Sequence, residues 1–148
     1  MTSPTDDIEE EEREFAILEA KRLRALAEIE QAESNFDQAV VCLQNALTIS
    51  KQHNDERGEL SALRMLGVIL NTQGKKDDAM VCLKRHFERS TQLGDKSQIG
   101  VAHNALGNFY RGLSQYDLAL EHLTQALNFA RMNQNVVSQG RRLNNLGL

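Results

Sequence analysis

The stretch from Val101 to Arg131 reads VAHNALGNFYRGLSQYDLALEHLTQALNFAR. In its first half His103, Leu106, Gly107 and Tyr110 fall at i, i+3, i+4 and i+7, which is one face of an α-helix. In its second half Ala119, Leu123 and Ala126 fall at i, i+4 and i+7, one face of a second helix. Arg111 to Gln115 leaves room for a tight turn between them. The spacing predicts a helical hairpin, with small residues where the two helices approach each other.

The pattern recurs. Gly107 has counterparts at Ala27, Gly67 and Gly147, each 40 residues apart. Ala119 repeats Ala39 and Ala79, Leu123 repeats Leu43 and Leu83, and Asp117 repeats Asp37 and Asp77. Self-similar hairpins at one period predict a solenoid of stacked repeats. The repeats are expected at about 20–53, 60–93 and 100–133, with a partial fourth at 140–148. Together they make one domain over residues 8–148, preceded by a disordered acidic terminus at 1–7.

Composition agrees. The 148 residues contain one proline, no tryptophan and few aromatics, which favours helix throughout. No apolar run approaches the roughly 18 residues of a membrane span, so no membrane insertion is expected. The acidic start is unlike a secretory or transit peptide. With two cysteines, that points to a reducing compartment, free thiols and a cytoplasmic location. Six of the 21 acidic residues lie in Asp6, Asp7 and Glu9 to Glu12, so the body without them is slightly basic. The overall charge of −4 argues against nucleic acid as a partner.

Within the chain, Asp6 is a candidate first cap, and the helix that follows starts upstream of the repeat, at Phe15, Ile17 and Leu18. Leu23, Leu26 and Ala27 form the first packing face, Ser34-Asn35 the first turn, and Phe36, Ala39, Leu43 and Ala46 the answering face. Asn54-Asp55 and Gly94-Asp95 are stop-and-cap signals between repeats. Repeat 2 departs at Lys76, where the other repeats have Phe36 and Tyr116, and at His86, where they have alanine. The third repeat is expected to end near Asn133, Asn135 to cap the next helix, and Leu143, Leu146 and Gly147 to stand in packing register on it.

Leu106-Gly107 with Tyr110, then Tyr116, Ala119, Leu123 and Ala126, resembles the tetratricopeptide repeat. The 40-residue period, Leu93-Gly94-Asp95 and the asparagine-rich runs at 104–108 and 141–147 are similar to the long repeats of Pins-type polarity adaptors. The resemblance implies an all-α, right-handed solenoid of stacked antiparallel hairpins. It also implies a non-enzymatic scaffold that holds a peptide segment of a partner in its concave groove. The usual proline after the second helix is absent here; Lys51, Thr91 and Arg131 stand in its place.

The stripe beside the packing face of each first helix is the candidate groove. It comprises Lys21, Arg24, Glu28 and Gln31; Ser61, Arg64, Val68 and Asn71; Val101, Asn104, Asn108 and Arg111; and Arg141, Asn144 and Leu148. Five of these fifteen are basic and one is acidic, against the chain's overall balance. Arginine and lysine suit carboxylates. Asparagine offers a donor and an acceptor to an extended backbone, and the resemblance implies that Asn104, Asn108 and Asn144 clamp peptide in this way. The expected partner is therefore an acidic peptide, and the expected binding residues are Lys21, Arg24, Arg64, Asn71, Asn104, Asn108, Arg111, Arg141 and Asn144. Two other readings stay open: self-association through the C-terminal helix, and a piece of a longer regulatory or sensor array.

No phosphate-binding loop, HExxH or CxxC spacing is present, so neither enzyme activity nor a cofactor is expected. Cys42, Cys82 and His122 share one register. Neighbouring helices pack about 8–10 Å apart, whereas zinc ligands lie about 2.0–2.3 Å from one ion. That mismatch argues against a metal.

Overall fold

The computed structural model describes residues 3–145, with side chains through residue 134. Among the described residues there are six helices and no strand. They are α1 (Pro4–Ala32), α2 (Phe36–Gln52), α3 (Glu56–Thr72), α4 (Lys76–Leu93), α5 (Lys96–Gly112) and α6 (Tyr116–Asn145). The fold is all-α. The second helix of each hairpin starts at Phe36, Lys76 and Tyr116, in step with the sequence repeat. The chain divides into two compact units, Met1–Cys82 and Leu83–Leu148.

Unit 1 is built on the predicted faces. Ala20, Leu23 and Ala27 of α1 meet Ala39, Cys42, Leu43 and Ala46 of α2, and Met65, Leu66 and Ile69 of α3 close the cluster. Leu26, Phe36 and Cys82 pack against it. Small residues at 20, 27, 39 and 46 let the helices come together, and the leucines fill what remains. In unit 2, Ala102, Leu106 and Phe109 of α5 and Ala119 of α6 are buried in the same register. Tyr116 is 66% exposed, so the aromatic that opens α6 does not do what Phe36 does.

The turns explain where helices stop. Ser34, Gly74 and Ser114 take φ values of 63°, 79° and 60° within the hairpins. Asn54 and Gly94 take 53° and 64° between repeats. A left-handed residue ends the helix and turns its last carbonyls onto following N–H groups; Asn35 N–H, for example, donates to the Glu30 carbonyl at 2.8 Å. The next residue then starts a new helix. Asp55 accepts from the Gly58 N–H at 3.2 Å and Asp95 from the Gln98 N–H at 3.1 Å.

Two expectations are corrected at the chain ends. The first helix begins at Pro4, not beyond Asp6, because Ser3 caps it. Ser3 Oγ accepts from the Asp6 N–H and the Asp6 carboxylate accepts from the Ser3 N–H, a reciprocal pair that satisfies two otherwise orphaned donors. Residues 4–7, expected to be disordered, are thus the first turn of α1. Farther on, Arg13 donates to the His53 carbonyl at 2.9 Å and the Asn54 carbonyl at 3.4 Å, tying the upstream half of α1 to the α2–α3 junction.

The second correction concerns the third junction. α6 runs unbroken to Asn145 instead of ending near Asn133. Gln134 stands where Asn54 and Gly94 take positive φ. Glutamine is a good helix former with no preference for that region, so the helix is not stopped and Asn135 does not cap a new one. Leu146, Gly147 and Leu148, assigned to a fourth repeat, lie outside the described residues.

Candidate functional site

In unit 1 the stripe residues sit on α1 and α3, helices that pack against each other and against α2. Lys21 is exposed, and Arg24, Arg64 and Asn71 are half-buried. The side chains of Lys21, Arg24 and Arg64 form no hydrogen bond or ion pair among the described residues. Arg24 goes further: its Nη1 is buried without a partner. A buried guanidinium N–H left unsatisfied costs at least as much as a lost hydrogen bond. Arg22, two residues away, is neutralised by Glu19 at 2.7 Å. Asn71 is in part committed, since its side-chain oxygen accepts from Lys76 across the α3–α4 turn.

In unit 2, Asn104, Asn108 and Arg111 are exposed on α5 at i, i+4 and i+7, and their side chains make no hydrogen bond among the described residues. Donor and acceptor groups on this face are thus available to a ligand. The side chains of Arg141 and Asn144 lie outside the described residues.

The packing face of α5, on which the sequence places His103 and Tyr110, carries an aromatic cluster that was not anticipated. His103 and His122 face each other across the α5–α6 hairpin, Nδ1 to Nδ1 at 3.0 Å. One ring donates and the other accepts, so the contact requires at least one neutral imidazole. Phe87 meets His103 edge-on at 4.9 Å, Phe129 stacks on it at 5.9 Å, and Tyr110 stacks on His122 at 5.4 Å. The two positions are equidistant from the turn at Gly112-Leu113, and that hairpin symmetry is the signal that could have found them. His122 is thereby placed in an aromatic cluster, while Cys42 lies in the unit 1 core and Cys82 against it. Among the described residues no group of three or more His, Cys, Asp or Glu side chains could hold a metal ion.

Burial, and then the neighbouring His122, hold His103 below the ordinary imidazole value of 6.5; Glu121 pulls the other way. The unfolded chain then takes up this proton more readily than the folded one, so stability rises with pH. The contribution is complete above about 6.5 and is lost as pH falls through the depressed folded-state value. The thermal midpoint is expected to drop between about pH 7.5 and about pH 5.5. His103→Leu, which installs the residue found at Leu63, should remove part of that drop, and an unchanged pH slope would show that the pair is not its source.

His86 is fully buried, with Nε2 3.1 Å from Gln98 Oε1 on α5. It is a structural bridge in unit 2. No helix of the described residues is long and apolar enough to cross a membrane.

Two family profiles, both described as Tetratricopeptide repeat, match the chain, one over residues 18–92 and one over residues 101–131. The first covers half of the chain and takes in α2, α3 and most of α4. No curated protein matches the sequence.

Proposed function

The chain belongs to the tetratricopeptide-repeat family, a family of protein-interaction scaffolds, and on that premise we propose that it is an adaptor holding an acidic segment of a partner protein on its first-helix faces. The observation that carries this reading is the half-buried guanidinium of Arg24, with Arg64 on the packed neighbour α3 and exposed Lys21 beside it, none with a hydrogen-bond or ion-pair partner among the described residues. A carboxylate supplied from outside satisfies such a donor with a charge-assisted hydrogen bond.

In this reading Lys21, Arg24, Arg64 and Asn71 bind side-chain carboxylates of the partner in unit 1. Asn104, Asn108 and Arg111 contact an extended backbone and a further acidic group on α5 in unit 2, with Arg141 and Asn144 continuing the register in sequence. The chain contributes no chemistry of its own; recognition is the activity. An array of peptides graded from acidic to basic tests it. Acidic peptides should be retained best, and retention should fall as salt screens the exposed charges. Equal retention of neutral and acidic peptides would defeat the reading.

A further inference from the structure

Within unit 1, α1 carries two apolar stripes. Ala20, Leu23 and Ala27 belong to the core, and Arg13 ties the same side of the helix to the α2–α3 junction. Ile8, Phe15, Leu18, Ala25 and Ile29 are exposed, Phe15 at 73% and Leu18 at 62%. These five fall on one heptad register, with residues 8, 15, 22 and 29 at its first position and 11, 18 and 25 at its fourth. Arg13, Ala20 and Ala27 share its sixth position, across the helix from both. The two stripes therefore lie back to back.

Two observations mark the exposed stripe as a docking face. Forty residues on, Leu18, Ala25 and Ile29 become Gly58, Met65 and Ile69 of α3, all buried. Met65 and Ile69 pack into the core shared with α1 and α2, so α3 uses this face to dock on the hairpin before it. The second observation is the length of α1, 29 residues against 17 in α2 and in α3. Its Ser3 cap starts it well before the repeat, and residues 4–15 are all exposed. A helical stretch of about 12 residues is marginal in water unless an amphipathic face is packed against something. Ile8 and Phe15 supply such a face on this extension.

We propose that the occupant of this face is α1 of a second copy of the chain, laid antiparallel about a two-fold axis between Ala16 and Ile17. In that register Phe15 of one copy meets Leu18 of the other, Ile8 meets Ala25, and Glu11 meets Arg22. Each pairing occurs twice, so the face is complementary to itself, as a two-fold interface requires. The charged layer sets the direction. A parallel pair in register stacks Glu11 on Glu11 and Arg22 on Arg22, whereas the antiparallel pair joins acid to base. Glu19 takes Nε and Nη2 of Arg22 within its own helix, which leaves Nη1 to Glu11 of the second copy. On the rim, Glu14 comes opposite Lys21 of the second copy, Glu12 opposite its Glu19 and Asp7 opposite its Glu28. These solvent-facing groups contribute little in either direction.

Sedimentation equilibrium on the full chain tests the proposal. At tens of micromolar the protein should have twice its 16.7 kDa mass. Phe15→Glu with Leu18→Glu alters only exposed side chains, so helicity should hold while the dimer weakens at least about tenfold. Glu11→Arg should also weaken it, by setting arginine against Arg22, and adding Arg22→Glu to that variant should restore it. A monomeric wild type overturns the proposal. So does a dimer that survives Phe15→Glu with Leu18→Glu, or a Glu11→Arg variant that Arg22→Glu does not rescue.

Discussion

Replacing Leu43 with alanine is expected to lower the unfolding free energy by about 2–5 kcal/mol, the range for a leucine truncated in a close-packed core. Leu43 is fully buried, and its cluster draws on α1, α2 and α3 together. Ala39, Cys42 and Ala46 around it are too short to collapse into the space it would leave. Helix termini are far away, so no cap or turn is altered. Chemical denaturation should show the midpoint falling at constant slope, because the surface exposed on unfolding hardly changes. A loss below about 1 kcal/mol would mean that the cavity closes, and that the three helices are not held against one another as tightly as the burial implies.

The second large effect is at Gly107. Glycine inside a helix costs about 1 kcal/mol relative to alanine, so Gly107→Ala would stabilise an isolated α5. In the hairpin, a Cβ at this position would lie 2.6 Å from Cγ and 2.8 Å from Cδ2 of Leu123, and 3.2 Å from its backbone N. The first contact is near the root of the side chain and the last is with the main chain of α6, so neither yields cheaply. Gly107→Leu should therefore destabilise by about 1–3 kcal/mol through overpacking. Gly112→Ala on the same helix meets nothing within 4 Å and serves as a control. Should Gly107→Leu prove neutral, the close approach of α5 and α6 would be ruled out as the reason for the recurring glycine.

These two positions were legible in the sequence because each recurs at a fixed period, and a repeat gives several readings of one environment. The caps at Asp55 and Asp95 were legible for the same reason. Ser34 and Ser114 were not legible as left-handed residues, since serine carries no such preference; the hairpin imposes the conformation, as Gly74 at the equivalent position shows. At the N-terminus the acidic run makes Asp6 look like a cap. Its actual role is the third helical residue of a box begun by Ser3, with Pro4 between them. At the third junction the period alone predicts a stop, but Gln134 stands where Asn54 and Gly94 take positive φ and α6 continues through it. The basic register was legible from charge alone. The unpartnered state of Arg24 and the commitment of Asn71 to Lys76 were not, because both depend on neighbours in space.

On the proposed reading, acidic ligand is held by the cations of the first-helix register that have no ion-pair partner among the described residues. Titration calorimetry with the best-retained acidic peptide, on wild type and on Arg24→Glu with Arg64→Glu, tests it most directly. Charge-assisted hydrogen bonds contribute about 1.5–3 kcal/mol where desolvated and much less at an exposed rim. The pair of reversals should weaken binding by about 1–3 kcal/mol, less at high salt, with helicity and the denaturation midpoint retained. Affinity that is unchanged in a folded double variant would contradict the account and move the binding surface off this face.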